Sequence, residues 1–345
     1  MQQFIHLKAN VLKTLKKLQI IVYNSSYKTV WDNFVASSNT PILLFYRNFM
    51  DYHQHHFVDN SLLIFENKEL IALFPANKDI ENSHSQNLYS HQGLTFGGLL
   101  TKPKTSFEIK EKTISELLIY VKSNNFKNLI IKQLPNFLQL IPDEVEHYFW
   151  QARHAIQMRV DINSVLDLRK PFNWQKRKCR NIAKAKQNNI IISKVCKISQ
   201  LLDYQADYRE FWNLLTQNLQ NRFGLNPVHN LVEIMELVNN FSNKINLYVA
   251  KMDNHIIAGT LLFDYENSVH AQYIAANEVG KNLGATDLLF SEILSEMAKN
   301  YTYFSFGISN TRKDYEINQG LLTWKQGWGA EIYLHRCYKI AINNF

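Results

Sequence analysis

The stretch NLYVAKMDNHIIAGTLLF (246–263) decides the fold, because it holds two alternating apolar segments separated by the polar pair Asp253–Asn254. Such a pattern predicts two antiparallel strands joined by a tight turn. A third alternating segment, VHAQYIAA (269–276), predicts a neighbouring strand, and YFSFG (303–307) predicts a further one. Together these segments indicate a mixed sheet of the α/β class.

A glycine-bearing segment, VGKNLGA (279–285), lies between the third and fourth predicted strands. It precedes an amphipathic helix at about 286–300, whose apolar residues recur at three and four positions: Leu288, Leu289, Ile293, Leu294 and Met297. A loop ahead of a helix N-terminus presents backbone N–H groups and partial positive charge, which suit a pyrophosphate such as that of coenzyme A. We expect this anion site to be formed by Lys281, Asn282, Gly284 and Ala285. The alternative is an ordinary helix start capped by Thr286.

Length and composition limit the class of protein. The chain has 345 residues, of which 46% are hydrophobic, and this length predicts about two domains. No run approaches the ~18 apolar residues of a membrane span. The basic N-terminal segment has no cleavage site after a long apolar region, so no signal peptide is expected. Three widely spaced cysteines indicate a reduced, cytoplasmic compartment.

Much of the net charge of +8 is concentrated in one segment. Eight Lys and Arg residues lie between Arg169 and Lys186, and no acidic residue occurs from Leu168 to Leu202. We interpret residues 169–190 as a basic linker helix that attracts an anionic partner: a phosphorylated substrate, a tRNA or a membrane surface. A solvated helix is the alternative. Sequence-specific recognition of nucleic acid is not expected, because no aromatic residue follows Trp174 within this cluster.

The first half repeats the order of the second. The segments SLLIF (61–65) and LIALFP (70–75) predict a hairpin, followed by a glycine-bearing loop, a helix at 107–124 and a strand at 128–133. We therefore predict a diverged N-terminal copy at residues 1–168. After the basic linker, the second copy would occupy residues 191–345.

Two segments of the first half carry candidate site residues. His53 and His56 have the spacing of one helix face, but no acidic residue completes a zinc pattern, and no metal is predicted. The loop SHQGLTFGGL (90–99) contains three glycines, which allow close approach of backbone to a ligand. His91 and Gln92 would then contact substrate. The alternative is a tight turn that leads into a strand.

A family resemblance rests on the C-terminal segments. Phe306–Gly307, a polar turn and LTWKQGWG (322–329) resemble the Phe-Gly … Phe-Lys-x-x-Phe-Gly pattern of Fem-type transferases and their GNAT relatives. Residues 89–98, 227–229 and 270–273 are similar to a bacterial subgroup of GNAT-family transferases. The resemblance covers roughly residues 28–342. It implies two tandem GNAT-like domains.

The resemblance also implies roles for single residues. Lys325 matches the family lysine at the reaction centre, where it could hold the negative charge that develops on a tetrahedral intermediate. Relatives usually carry Asp before Phe-Gly, whereas this chain has Ser305. Tyr273, by resemblance, and His270, by its near-neutral titration, are the candidates for proton transfer. Three residues apart on a strand, they would face opposite sides of the sheet unless a bulge intervenes.

The acceptor site of a GNAT unit lies under the two helices before the hairpin. The predicted helices at 204–221 and 230–240 are separated by RFGLNPVH (222–229), so Arg222, Asn226 and His229 are expected at its border. Asn318 and Trp324 are further candidates for contact with substrate.

The sequence thus predicts an acyltransferase that moves an acyl group from acetyl-CoA or another acyl-CoA to an amine of a sugar or cell-envelope precursor. The amine would attack the donor directly, without a covalent enzyme intermediate. Two alternatives stay open: a tRNA-dependent aminoacyl transferase of the Fem type, and a non-catalytic binding protein with a GNAT fold.

Overall fold

A computed structural model describes residues 18–80, 85–195, 203–311 and 315–342. The basic N-terminal segment and Cys196 lie outside the described residues. Within them, the chain forms one ten-stranded mixed sheet and one four-stranded antiparallel sheet, with helices on both faces of the larger sheet.

The strands are β1 (Leu18–Val22), β2 (Leu62–Glu66), β3 (Glu69–Phe74), β4 (Asn77–Lys78), β5 (Asn87–Tyr89), β6 (Leu100–Thr101), β7 (Asn128–Lys132), β8 (Ile156–Asp167), β9 (Ile191–Val195), β10 (Ile245–Met252), β11 (His255–Asp264), β12 (Ser268–Ala276), β13 (Tyr303–Ile308) and β14 (Glu331–Ala341). The helices are α1 (Lys28–Ser37), α2 (Arg47–Asp51), α3 (Phe107–Ser123), α4 (Val145–Ala152), α5 (Lys176–Gln187), α6 (Asp203–Phe223), α7 (Leu231–Asn240), α8 (Glu278–Leu283), α9 (Ala285–Met297) and α10 (Gln319–Gln326).

The large sheet joins the two halves of the chain. Its order is β4-β5-β7-β14-β8-β13-β12-β11-β10-β9, so the last strand, β14, lies between β7 and β8 of the first half. Strand β8 in turn pairs with β13 of the second half. Backbone hydrogen bonds therefore run without interruption from one half to the other.

Each half contains a parallel strand pair among antiparallel neighbours. In the first half, β5 pairs with β7, and in the second, β12 pairs with β13. A crossover helix connects the two strands in both cases, α3 in the first half and α9 in the second, as parallel pairing requires. The predicted repeat is visible in this shared order.

Apolar side chains cover the second-half sheet on both faces. One core contains Phe211, Trp212 and Ile234 from α6 and α7, together with apolar residues of the first half. The opposite core contains Phe290 and Trp328 beside the buried face of α9. Because the sheet is covered on both faces, polar groups between its strands are shielded from water.

Several predicted elements have the expected positions. The first hairpin turns at Asp253 and Asn254, which both have positive φ (50° and 66°), as a tight two-residue turn requires. The helix near 107–124 and the hairpin of β2 and β3 also lie where predicted.

Two predictions are corrected. Residues 279–285 are not a loop: helix α8 spans Glu278–Leu283, and left-handed Gly284 (φ 77°) separates it from α9. The side chain of Asn277 caps α8 through the N–H of Gly280, which favours the extra helical turn. Helix α2 ends at Asp51, so His53 and His56 do not lie on one helix face.

Candidate active site

The central feature is a split between parallel strands β12 and β13. Their pairing ends at His270↔Ser305, although β12 continues to Ala276 and β13 to Ile308. Beyond this pair, β12 and β13 are no longer paired with each other. A split of this kind leaves room for a ligand between the strands at their carboxyl ends.

A bulge on β13 shapes the split. Ser305 pairs with Val165 but Ile308 pairs with Asn163, so one extra residue interrupts the ladder. Gly307 has φ 75°, a left-handed conformation that glycine adopts without strain. The carbonyl oxygens of Gly307 and Ile308 are thereby available to a side chain.

That side chain is Lys325 of α10. Its Nζ donates to the carbonyl oxygens of Gly307 (2.8 Å) and Ile308 (2.6 Å). The residue is only 2% exposed, and burial lowers its pKa to about 7. Lys325 thus lies against the bulge of β13, with an ammonium group that is readily converted to the neutral amine.

His270 contributes a second titratable group at the end of the strand pairing. Ser305 Oγ donates to Asn163 Oδ1 at 3.0 Å, and His270 Nδ1 lies 3.0 Å from the same Oγ. Because the single hydroxyl proton goes to Asn163, Ser305 accepts from Nδ1–H, which leaves the lone pair of the neutral imidazole on Nε2. Burial, with a smaller effect of the Lys325 charge, lowers the pKa of His270 to about 4, so the near-neutral titration expected from the sequence is wrong and the ring is neutral near pH 7.

Tyr273 lies on the same face of the sheet as His270. Tyr273 pairs with Leu261 and His270 with Phe263, while Gln272 has no partner and forms a bulge on β12. The Tyr273 hydroxyl contacts His229 Nδ1 at 2.6 Å. Burial raises the pKa of Tyr273 to about 12 and lowers that of His229 to about 4, so both groups are neutral near pH 7.

A cavity of about 580 Å³ lies at the N-terminal end of α9. Its wall is formed by α5, the α8–α9 junction and α10, including Arg177, Lys178, Lys281, Thr286 and Trp324. Glycine allows the close packing here, because a Cβ on Gly284 would lie 2.6 Å from the backbone oxygen of Asn181. A cavity beside a helix N-terminus with cationic side chains favours an anionic ligand.

The acidic residue of this cavity is neutralised. Asp287 accepts hydrogen bonds from Lys178 Nζ (2.7 Å), Asn181 Nδ2 (2.6 Å) and Trp324 Nε1 (3.1 Å). Lys178 is itself buried against the rings of Trp324 and Trp328. Helix α5 therefore packs onto α9 and α10, and its Lys178 offsets the charge of Asp287, which leaves Arg177 and Lys281 to attract an anion.

The predicted anion-binding residues divide into two pairs. Lys281 and Gly284 line the cavity, and Lys281 also forms an ion pair with Glu278 at 2.6 Å. Asn282 is exposed, and its carbonyl oxygen accepts from Lys184 Nζ. Ala285 is fully buried in the core. Asn282 and Ala285 therefore lie outside the cavity, the first on the surface of α8 and the second in the core.

The predicted substrate-binding residues of the second half do not lie together at one site. Trp324 lines the anion cavity, whereas Asn318 caps α10 by accepting from the N–H of Leu321. His229 lies at Tyr273 on the opposite face. Arg222 and Asn226 are exposed, and Asn226 Oδ1 accepts from Gln220 Nε2.

The loop of the first half packs inward. Gln92 Oε1 accepts from Asn77 Nδ2 and from the N–H of Ile80. His91 is 2% exposed, and burial holds its pKa well below its usual range. Lys132 Nζ donates to the carbonyl oxygens of Gln92 and Leu94. The loop thus fills the space beside the β5–β7 pair, and the structure does not place His91 or Gln92 with the residues at the β12–β13 split.

Sequence reasoning missed several residues of the site. Asn163 and Ser305 orient His270, Lys178 and Asn181 pair with Asp287, and Gln272 forms the bulge. Lys178 was detectable as a member of the basic segment, but its burial depends on contacts far along the chain. In the described ranges, no group of three or more His, Cys, Asp or Glu could hold a metal ion. Nor does any helix there have the length and apolar character to span a bilayer.

Part of the chain matches a known protein family, and its fold is similar to solved structures. Residues 177–316 match the acetyltransferase (GNAT) domain family. Among curated protein sequences, none matches the chain. The structure of FemX is similar over 94% of this chain and 98% of its own, with a TM-score of 0.62 and 11% identity.

Two further structures have the same fold. L-PGS from Bacillus licheniformis covers 91% of both chains, with a TM-score of 0.57 and 12% identity. A tandem GNAT protein from the clavulanic acid biosynthesis pathway covers 94% of this chain and 99% of its own, with a TM-score of 0.51 and 9% identity. The chain therefore has the fold of these structures, one of which is a tandem GNAT protein. The predicted α/β class with two tandem GNAT-like units is confirmed.

Proposed function

We propose that the protein transfers an acyl group from acyl-CoA, in the first place acetyl-CoA, to a primary amine of a sugar or cell-envelope precursor. The observation that carries this proposal is the position of Lys325. Its ammonium group lies at the β12–β13 split, and the anion-suited cavity lies at the N-terminal end of the neighbouring helix α9. An acyl donor bound by its phosphates in the cavity could extend its thioester into the split.

Donor binding is assigned to the α5, α8–α9 and α10 wall. Arg177 and Lys281 supply positive charge, and the first turn of α9 adds the partial charge of a helix N-terminus. Because Lys178 pairs with Asp287, the carboxylate does not oppose a diphosphate. The residues present therefore fit coenzyme A.

The reaction is direct acyl transfer. The amine nitrogen attacks the thioester carbonyl carbon, a C–N bond forms, and negative charge develops on the carbonyl oxygen. Lys325 stabilises this charge, an effect worth about 10²–10³ in kcat for a single donor. The C–S bond then breaks, coenzyme A leaves as a thiolate, and the proton lost by the amine is returned to sulfur.

Two neutral imidazoles are available for the proton. The hydrogen bonds of Ser305 leave the His270 lone pair on Nε2, which can accept a proton from the attacking amine. His229 holds the Tyr273 hydroxyl, so this pair orients the second polar group on the same face. We assign His270 as the proton acceptor and Tyr273 as a positioning residue.

An aminoacyl-tRNA donor is the second candidate. The exposed basic side chains of α5 adjoin the same cavity and would suit a polyanion: Lys176, Arg177, Arg180, Lys184 and Lys186. A non-catalytic binding protein is the third, and it predicts ligand binding without turnover.

Calorimetry separates the donors. Coenzyme A should bind the protein, and Lys281→Glu should weaken binding at least tenfold by reversing one cavity charge. Lys299→Glu makes the same charge change at an exposed position near the end of α9 and should leave affinity within twofold. Charged tRNA that binds more tightly than coenzyme A, or coenzyme A that fails to bind, would overturn the assignment of the donor.

A further inference from the structure

A second cavity, of about 260 Å³, lies between the two halves of the chain. The first half contributes Tyr52, His53 and Phe57 to its wall, and the second half contributes His229 and Gln272. We call this cavity the inter-half cleft. Its core residues pack on the α6–α7 side of the sheet, whereas Trp324 of the donor cavity packs on the α9 side.

His53 is the unusual residue of the inter-half cleft. It is only 4% exposed and lines the cleft, and within the described residues no hydrogen bond of normal geometry reaches Nδ1 or Nε2, although the backbone N–H of Gly93 is close enough to act on the pKa of the ring. Buried polar atoms without partners cost free energy, and they are rare in folded proteins. The ring is stacked on Tyr52, with centroids 4.3 Å apart. Its position is therefore fixed while its polar atoms are available to a ligand.

Gly93 permits this position of the imidazole. A Cβ at residue 93 would lie 2.2 Å from His53 Nε2 and 2.5 Å from a ring carbon of Phe57. Any other residue would push both side chains out of place. Gly93 was expected to let the backbone approach a ligand. Instead it lets the backbone approach His53, whose ring faces the cleft.

The cleft selects ligands by charge and size. Glu233 is its one charged side chain in the described part of the chain, and no Lys or Arg lines it. Burial, with smaller effects of neighbouring histidines, lowers the pKa of His53 to about 4, so the ring is neutral near pH 7. A phosphate or carboxylate would find no counter-charge, whereas an ammonium group finds a carboxylate and aromatic faces. The volume is below the ~300–1,000 Å³ of pockets that enclose drug-sized ligands.

The cleft also borders the residues of the proposed reaction. Gln272, the bulged residue of β12, lines it, and so does His229, the partner of Tyr273. Tyr273 and His270 share this face of the sheet. A ligand in the cleft can therefore present its amine towards the β12–β13 split from the side opposite the donor cavity.

We propose that the inter-half cleft, built around His53, binds a small primary amine carried on an apolar alkyl or aryl arm. As the acceptor site this inference rests on the proposed acyl transfer, but binding in the cleft stands on its own geometry. Among the acceptors of the proposed reaction it favours an amine at the end of such an arm over the amine of a sugar, and it excludes sugar phosphates and nucleotide-linked sugars as occupants of this cavity.

Titration calorimetry tests the proposal, with and without coenzyme A. The probes are hexylamine, phenethylamine, phenylalanine and glucosamine 6-phosphate. The two simple amines should bind, and the carboxylated and phosphorylated probes should bind at least tenfold more weakly. His53→Phe keeps the ring but removes both nitrogens, so it should weaken amine binding at least tenfold. His55→Phe, at an exposed neighbouring position, should leave amine binding unchanged.

The stability of His53→Phe is a second readout. Because His53 makes no hydrogen bond of normal geometry, the unfolding midpoint of His53→Phe should be unchanged or higher, whereas a histidine held by strong hydrogen bonds would predict a lower midpoint. Failure of both amines to bind, equal affinity for the phosphorylated probe, or unchanged amine affinity in His53→Phe would overturn the proposal. Amine binding without turnover of acetyl-CoA would contradict the proposed acyl transfer and support amine binding in the inter-half cleft. Turnover that is unaffected by His53→Phe would support acyl transfer and contradict the inter-half cleft as its acceptor site.

Discussion

His270 and Tyr273 face the same side of the central sheet although they are three positions apart along one strand. The bulge at Gln272 causes this, since the pairs Phe263–His270 and Leu261–Tyr273 place both side chains on one face. Without the bulge, Tyr273 would lie on the α9 side, away from His229. The sequence left open whether a bulge would bring both side chains to one face, and the bulge at Gln272 does so.

The Tyr273 hydroxyl should contribute to the stability of the fold. Tyr273→Phe removes the partner of His229 Nδ1 and of the His229 N–H, which are 2.6 and 3.3 Å away. We expect the free energy of unfolding in urea to fall by about 1–3 kcal/mol, because buried polar groups lose a partner. Tyr315→Phe changes an exposed tyrosine and should have no effect. Equal stabilities of the two variants would contradict the role of the hydroxyl.

Gly307 should be needed for activity beyond its effect on stability. Gly307→Ala and Gly224→Ala both place a Cβ at positive φ (75° and 64°), at a cost of roughly 1–2 kcal/mol each. Only the first change disturbs the carbonyl oxygen that binds Lys325. We expect similar losses of stability in urea denaturation but a loss of turnover in Gly307→Ala alone. A matching loss in Gly224→Ala would show that turnover follows stability.

Lys325 should make stability depend on pH. Burial lowers its pKa from 10.5 to about 7, so between these values the unfolded chain binds more protons at this residue than the folded chain. Stability therefore rises with pH across this window, by at most ~1.4 kcal/mol per unit, and the gain is lost as pH falls towards 7. Lys325→Met lacks this dependence. Urea denaturation from pH 7 to 9 should show the two curves diverging, and parallel curves would refute the lowered pKa.

Glu146 should give the opposite dependence at lower pH. Burial raises its pKa from 4.5 to about 7, although the N–H of Leu99 and the indole of Trp150 donate to its carboxylate. Its contribution is present below about 4.5 and lost as pH rises through about 7, because the folded chain holds the proton more tightly. Glu146→Gln should remove this loss in thermal unfolding between pH 5 and 8. Glu111→Gln changes an exposed residue of α3 and serves as the control. The prediction fails if the melting temperatures of the two variants change with pH by the same amount.

Local patterns were enough to predict most elements of the fold. Alternating apolar residues located β10, β11 and β12, and the Asp253–Asn254 pair located their turn. The position of strand β14 between β7 and β8, in contrast, depends on pairing partners far along the chain. No local pattern contains that information.

The site was less predictable than the fold. Lys325 was selected by resemblance, yet its contact with the Gly307 bulge depends on the register of β13 against β8. The bulge at Gln272 likewise depends on β11. His53 was weighed as a metal ligand, and its actual feature, two nitrogens in a cleft without a hydrogen bond of normal geometry, arises where the two halves meet. The division into residues 1–168, 169–190 and 191–345 stays a prediction.

The most direct test of the account is the rate of coenzyme A release from acetyl-CoA in the presence of a panel of primary amines, including amino sugars. Lys325→Ala removes the ammonium group at the β12–β13 split, and Lys299→Ala removes an exposed one. We predict that kcat falls about 100-fold or more in Lys325→Ala and changes less than twofold in Lys299→Ala. An unchanged rate in Lys325→Ala would contradict the central claim that this lysine stabilises the transition state of acyl transfer.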